Sequence, residues 1–412
     1  LRIGIDNNLS LEGKRKEIQK SKYGVSENRS KLLPQINAIA GYNNNFDPPV
    51  SVTDGSSYGV PYNITKTLQH SANAGLEMQM PLFNQTLYTS MSIAKVMEEI
   101  SRLSYGKARE DVILQISKMY YLGQVTAEQI MLIKANIIRL EELRDITQAF
   151  FDNGMSMEVD LKRVNINLEN LKVQYDNAQA MMKQQLNMLK YIMDYPAEKE
   201  IALTPVNTDS ITTVALTGLS ENIYELQLSQ SQVQLAERQK KIITNGYIPS
   251  LSLTGSWRYA AYTDKGYHWF HSGPSNQWFR SYGVGLTLRI PIFDGLDKTY
   301  KIKKAMIDIE NKRLAWEDAR KNLQTQYLNA VNDLMNNQRN FKKQKDNYLL
   351  AEDVYAVTSD RYREGIASMT EVLQDEMQMS EAQNNYISAH YNYRVTNLML
   401  LKLTGQIESL VK

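Results

Sequence analysis

Carboxylates beside two glycine turns are the side chains of this chain best placed to act on a charged solute. Asp160 follows the turn Phe151-Asp152-Asn153-Gly154-Met155-Ser156, while Glu371 and then Asp375 follow the turn Tyr362-Arg363-Glu364-Gly365-Ile366-Ala367-Ser368. The turns align without gaps, so Asp160 and Glu371 hold matching places. Gathered carboxylates favour cations and raise one another's pKa. No carboxylate sits with a histidine in a catalytic arrangement, and there is no Gly-x-x-x-x-Gly-Lys-Ser/Thr loop to cradle phosphate. His268 and His271 make a His-x-x-His beside Trp269, but only Asp264 could add a third ligand. That segment reads as an aromatic loop rather than a metal centre. His70 and His390 stand alone. Met181, Met182, Met377 and Met379 suit adaptable helix packing, with a copper or silver relay as the chemical alternative. Asn63-Ile64-Thr65 is a sequon by its letters only. These residues describe a protein that is not an enzyme and needs no cofactor or metal.

The turns themselves need glycine because a tight helical hairpin requires positive φ. Helix capping alone would account for Gly154, Ser156, Gly365 and Ser368. Arg361, Tyr362 and Arg363 could latch one hairpin to the other by bonding to Asp160. An exposed i,i+4 charge pattern explains them equally well.

Long helices must carry these turns. From Leu296 to Tyr362 no proline interrupts. Ile302, Met306, Ile309, Trp316, Leu323, Tyr327, Ala330, Leu334, Phe341, Tyr348, Ala351 and Tyr355 fall at the alternating threes and fours of a coiled-coil seam. At 1.5 Å per residue such a helix is ~100 Å long. A counterpart runs from Gln85 to about Phe150. Leu161, Val164, Leu168, Leu171, Tyr175, Ala178, Met182, Leu189 and Ile192 mark a shorter helix, and Leu373, Met377, Ile387, Tyr391, Leu398 and Leu401 mark another. A helix of roughly 39 residues at the C-terminus, stacked on one from Ser220 to Gly246, matches the length of the long one. Tyr195 to Leu219, with Pro196, Pro205, Ile201, Ile211, Thr212, Thr213 and Val214, reads as a small mixed patch.

Four stretches instead keep period two. Leu68, His70, Ala72, Ala74, Leu76, Met78, Met80 and Leu82 alternate with Gln69, Ser71, Asn73, Gly75, Glu77 and Gln79. Tyr282, Val284, Leu286, Leu288, Ile290 and Ile292 alternate with small and polar residues in the same way, as do the runs around Ile36 to Tyr42 and Leu251 to Tyr259. A half-buried sheet of a soluble protein would show this alternation, and so would barrel strands of about 9 to 11 residues crossing a bilayer. The long loops from Asp47 to Lys66 and from Thr263 to Arg280 favour the barrel. The second of them carries Tyr267, Trp269, Phe270, Trp278 and Phe279, aromatics suited to a membrane interface. Four strands in lipid leave two bare edges, each unpaired group costing several kcal/mol, so more than one protomer is implied. Pro34 and Pro249 stand where helix becomes strand, and Pro81 and Pro291 where strand passes straight into helix.

Composition narrows the alternatives. A net charge of +2 over 412 residues, with mixed signs throughout, offers no basic stripe for nucleic acid. Gly and Pro are sparse, so no linker divides the chain. Cysteine is absent, which excludes a disulfide framework and thiolate metal sites. The opening Leu1-Arg2-Ile3-Gly4, without Met, suggests numbering that starts inside a processed or trimmed protein.

The chain is also written twice. Gly285-Leu-Thr-Leu-Arg-Ile-Pro-Ile-Phe-Asp294 repeats Gly75-Leu-Glu-Met-Gln-Met-Pro-Leu-Phe-Asn84 about 210 positions later, a period too long for a solenoid. With Leu-Pro-Gln-Ile at 33 to 36, Ile-Pro-Ser-Leu at 248 to 251, Ile-Pro-Ile-Phe-Asp-Gly at 290 to 295 and Tyr-Arg-Glu-Gly-Ile-Ala-Ser-Met-Thr-Glu-Val-Leu at 362 to 373, the sequence resembles the outer-membrane efflux factors, the TolC-like family. The resemblance implies a mainly α protein with a transmembrane β-barrel. In it, four strands per protomer close a trimeric 12-stranded barrel, and long helices form a periplasmic tunnel.

It further implies tunnel helix at 1–33, barrel strands at 34–82, tunnel helices and a first tip at 83–194, an equatorial segment at 195–219 and tunnel helix at 220–247. Barrel strands follow at 248–293, tunnel helices and a second tip at 294–404, and an equatorial tail at 405–412. The tips at Gly154, Ser156, Gly365 and Ser368 would dock a periplasmic adaptor. Asp160, Glu371 and Asp375, with Arg361, Tyr362 and Arg363, would form the gate. Gln374 stands where the family's second acid is commoner, with Asp375 beside it. The expected role is a passive exit duct in a Gram-negative outer membrane, extending into the periplasm, working with an adaptor and an inner-membrane pump to export drugs or other small molecules. A type I protein-secretion outlet, a self-standing porin and a coiled-coil structural protein are the alternatives.

Overall fold

The computed structural model describes residues 1–205, 218–264 and 278–411. The expected strand formers Ile211, Thr212, Thr213 and Val214 lie outside the described residues, as do Tyr267, His268, Trp269, Phe270 and His271. The chain forms two compact units, one of residues 19–99 and 231–312, the other of residues 1–18, 100–230 and 313–412.

The first unit is built on a sheet. Strands β1 (Gln35–Asn44), β2 (Val50–Asp54), β3 (Tyr62–Lys66), β4 (His70–Phe83), β5 (Ser250–Thr263) and β6 (Trp278–Arg289) make a four-stranded antiparallel sheet in the order β1-β4-β5-β6 and a separate β2-β3 hairpin. Register shows why the alternation matters. Ala38 pairs with Leu76, Leu76 with Trp257 and Trp257 with Tyr282, so one row across all four strands is almost wholly apolar. The next row joins Asn37, Glu77, Ser256 and Gly283, and another polar row joins Gln35, Gln79, Thr254 and Gly285. Facing residues of paired strands share a side, so a slip of one position would mix the faces. Every residue of edge strand β6 is exposed. On the polar side Arg258 pairs with Glu77.

The hairpin lies in what reads as plain loop. Val50-Ser-Val-Thr-Asp54 pairs with Tyr62-Asn-Ile-Thr-Lys66, and Gly59 turns the chain at φ 71°. Alternation over five residues is too short to stand out from a polar loop.

The proline junctions differ between the halves. β4 runs past Pro81 to Phe83 through a bulge between them, which absorbs the missing N–H, and helix starts at Gln85. β6 stops at Arg289, ahead of Pro291. The second half therefore does not pass straight into helix: residues 290–296 intervene, with Gly295 and Leu296 at φ 66° and 67°. Pro34 and Pro249 each precede the first residue of a strand, as expected.

The helices are α1 (Arg2–Asn7), α2 (Leu9–Ser30), α3 (Gln85–Asp152), α4 (Glu158–Ile192), α5 (Tyr224–Asn245), α6 (Asp297–Arg363) and α7 (Met369–Leu403). α3 and α6 hold 68 and 67 residues. One helix was expected over 1–33, but the chain breaks at Asn8, whose Oδ1 accepts from Leu11 N at 3.0 Å and restarts the helix. α7 has 35 residues, fewer than expected, because Gly405 at φ 71° ends the run. The described part of 195–219 contains turns and no strand.

The second unit holds the helical core. Leu11, Ile113, Leu398, Leu400 and Ile407 are fully buried in one cluster, and Leu140, Leu143, Val164, Val372 and Met379 in another. Each such side chain contributes about 1.5–3 kcal/mol. The α6 seam is buried at Leu323, Tyr327, Ala330, Leu334 and Tyr355, but Met306 is exposed and Ala305 takes the inner place, which keeps the three-four spacing from Ile302 to Ile309. Met377 is likewise exposed on α7.

Candidate functional site

Each long helix ends in the same turn. Met155 N donates to Phe150 O at 2.7 Å and Gly154 N to Phe151 O at 2.9 Å. Ile366 N donates to Arg361 O at 2.8 Å and Gly365 N to Tyr362 O at 2.9 Å. These nested bonds form a Schellman motif, with Gly154 and Gly365 supplying φ of 73° and 74°. Nothing approaches a Cβ placed at either glycine, so backbone conformation alone requires them.

The helices that leave the turns begin differently. Ser368 Oγ accepts from Glu371 N at 3.3 Å, and Glu371 Oε2 accepts from Ser368 N at 2.8 Å, a complete capping box. Met157 holds the N-cap of α4 with no side-chain bond. Ser156 is one residue too early to cap, and its Oγ is shielded without a hydrogen bond. Met157→Ser should therefore stabilise the first turn by about 0.5–1 kcal/mol, while Ser368→Ala should cost about 1 kcal/mol at the second. Hydrogen exchange at the start of α4 and α7 reads both changes.

The expected gate residues find separate partners. Asp160 accepts from Arg163 Nη1 at 3.2 Å, and the same Nη1 lies 3.3 Å from Thr370 Oγ1 across the pair of turns. Tyr362 is buried; its hydroxyl donates to Thr147 at 3.3 Å and its ring lies 5.7 Å from Phe150. Arg363 reaches Asp360 at 3.4 Å and Glu142 at 3.5 Å, and Arg361 is exposed. Within the chain none of the three bonds to Asp160. Asp375 is partly exposed beside the buried Glu376.

Glu376 belongs to an interior polar ladder that sequence reasoning missed. Burial pushes its carboxyl above the usual range, the Arg139 charge opposing this, and its Oε1 has no hydrogen bond. Arg139 bonds Asn136, pairs with Glu352 at 3.3 Å and touches Met379 Sδ at 3.9 Å. Asn136 Nδ2 donates to Gln383 at 2.7 Å. Further along, His390, fully buried, sits 3.4 Å from Glu128 and accepts from Arg394 Nε at 3.0 Å. Heptad spacing of Glu376, Gln383 and His390 was the available signal: these are polar residues on a seam.

A second missed feature lies outside. Ile307, Leu314, Leu328, Met335 and Leu349 of α6 are exposed at heptad spacing, broken by Lys321 and Lys342. Val159, Ile166, Val173, Met181 and Met188 of α4 do nearly the same. Among the described residues no helix is long and apolar enough to cross a membrane, and no cluster of His, Cys, Asp and Glu could hold a metal.

A two-faced antiparallel sheet with two unpaired outer edges among the described residues, duplicated together with helical hairpins of this length, defines the class of fold. Comparison with known proteins agrees. The outer membrane efflux protein family matches residues 4–193 and 215–406, one stretch in each half, and the chain belongs to that family. It is 21% identical over 399 residues to the outer membrane protein TolC of Vibrio cholerae, covering 93% of this chain and 84% of the relative. It is 23% identical to the probable efflux pump outer membrane protein TtgC of Pseudomonas putida, covering 87% and 75%. A crystal structure of CusC superposes with a TM-score of 0.81 at 16% identity, over 98% of this chain and 90% of that one.

Proposed function

We propose that this protein is the passive outer-membrane exit duct of a tripartite efflux system, carrying small molecules from an inner-membrane pump and a periplasmic adaptor to the outside. The sheet carries the reading. Its apolar rows suit lipid, its polar rows suit a water-filled lumen, and among the described residues the outer edges of β1 and β6 have no paired strand. Three copies would seal those edges, and the exposed heptad stripes of α4 and α6 would then meet neighbouring copies. Segments 34–82 and 248–293 would line the barrel. Segments 1–33, 83–194, 220–247 and 294–404 would wall the tunnel, with 195–219 and 405–412 around its girth. The duct itself performs no reaction; the pump supplies the driving force.

The turns at Gly154 and Gly365 would face the adaptor, with Ser156 and Ser368 beside them. Asp160, Glu371 and Asp375, repeated around a threefold axis, would set cation preference at the narrow end. Glu371→Gln with Asp375→Asn isolates charge, because Gln still completes a capping box. In single-channel recordings the double variant should lose most of its cation selectivity. Unchanged selectivity removes both acids from the constriction. Crosslinking from positions next to Gly154 and Gly365 to the adaptor separates an efflux outlet from a self-standing porin.

A further inference from the structure

Helices α3, α5, α6 and α7 of the helical unit enclose a cleft of about 300 Å³. Its floor is apolar: Ile223, Leu323 and Ala330 are buried there. Glu110 of α3 projects into the same space with only 4% of its surface exposed. Among the described residues its carboxyl has neither a hydrogen bond nor an ion pair. The cations around it are already engaged. Lys107 pairs with Glu225 at 2.9 Å, Lys402 with Asp111 at 2.5 Å, and Arg109 with Glu408 at 3.0 Å. Asp333, at the exposed mouth, adds another acid.

An apolar floor beneath a carboxyl whose neighbouring cations are all paired with other acids is complementary to one ligand chemistry. We propose that this cleft binds a small organic cation bearing an apolar group, its positive centre against Glu110 and its apolar part on Leu323, Ile223 and Ala330. Burial raises the Glu110 carboxyl to about 7, with Lys402 opposing and Glu408 and Asp111 adding to the rise. A cation supplies the charge that burial denies, so binding favours the ionised carboxylate and weakens as the pH falls below that value. The site does not depend on the duct reading, because its test reads binding and not transport.

Benzyltrimethylammonium is a suitable probe because its charge does not titrate, and neopentylbenzene is its uncharged isostere. Calorimetric titration of the assembled protein at about pH 8 should show binding of the ammonium, weakened about tenfold or more by Glu110→Gln and also weakened on lowering the buffer to about pH 6. Asn329→Trp, at the mouth, should block the cleft while leaving Glu110 in place, and it guards against a Glu110 variant that merely misfolds. Absence of binding to the parent protein, indifference to both substitutions, indifference to pH, or equal binding of neopentylbenzene would each overturn the proposal.

Discussion

Leu76→Arg should abolish the membrane-inserted oligomer, whereas Thr254→Arg, on the adjacent strand, should leave it intact. The difference follows from register. Leu76 lies between Ala38 and Trp257, in the apolar row that ends at Tyr282; Thr254 lies between Gln79 and Gly285, in a polar row. Arginine facing the middle of the bilayer costs about 2–4 kcal/mol in a barrel. In the proposed trimer, with one copy in each protomer, the penalties together would be on the order of 10 kcal/mol, comparable to the whole stability of a typical domain. Arginine facing a water-filled lumen keeps its hydration and costs little. Gly285, opposite Thr254, also leaves room for the longer side chain. Outer-membrane fractions run unheated in detergent gels report the oligomer directly. If Leu76→Arg gives as much heat-modifiable oligomer as the parent, the apolar rows do not face lipid, and the barrel reading fails with them.

That test is possible because the strands were legible as sequence. Period-two alternation sustained over seven or more residues matches the pleat of a strand and not the 3.6-residue turn of a helix, and the observed rows keep the same two faces. The long helices were legible for a related reason: α6 holds one seam over 67 residues, and α3, with a less regular seam, is its counterpart in the first half, so their limits emerge within a residue or two. Short features were not. The β2-β3 hairpin has too few repeats to show a period. The break at Asn8 depends on one side chain turning back to cap Leu11. Asp194, at φ 49°, closes α4 with the bonds Gly405 uses to close α7, and an aspartate, which enters the left-handed region far less often than glycine, is only a weak signal for such a stop.

The candidate site divided along the same line. Such turns favour one residue type strongly at the left-handed position, so Gly154 and Gly365 stood out. Partners of charged side chains are set by helix packing and were less predictable. Tyr362 met Thr147 instead of a carboxylate, and Glu371 turned its carboxylate back onto Ser368, although Ser-x-x-Glu is itself a readable capping signature. A carboxylate near the turns that sequence reading passed over is the buried Glu376, adjacent to one of the acids selected for the gate.

Arg139→Met should accordingly cost about 1.5–3 kcal/mol of stability in the helical unit, through its bonds to Asn136 and Glu352 and the loss of the positive charge that acts on Glu376. Glu352 can compensate, because it is partly exposed and water can take Arg139's place. Glu376 cannot: it is 4% exposed, and Arg139 is the cation that opposes the rise in its pKa. The pH dependence distinguishes this account from simple loss of packing. A carboxyl whose folded-state pKa lies above its unfolded value contributes stability that is fully present below the unfolded pKa and lost as the pH rises through the folded one. Removing Arg139 raises the folded value further. The damage should therefore be smallest in acid, grow as the pH climbs from the parent's raised value through the variant's still higher one, and level off above the latter. Glu376→Gln in the Arg139→Met background should restore most of the loss at neutral pH and little in acid. Urea unfolding of the detergent-solubilised protein, followed by helical circular dichroism at several pH values, measures both. A loss that ignores pH and is not relieved by Glu376→Gln would place the importance of Arg139 in its bonds to Asn136 and Met379. The buried carboxyl would then be an ordinary protonated core residue that needs no counter-charge.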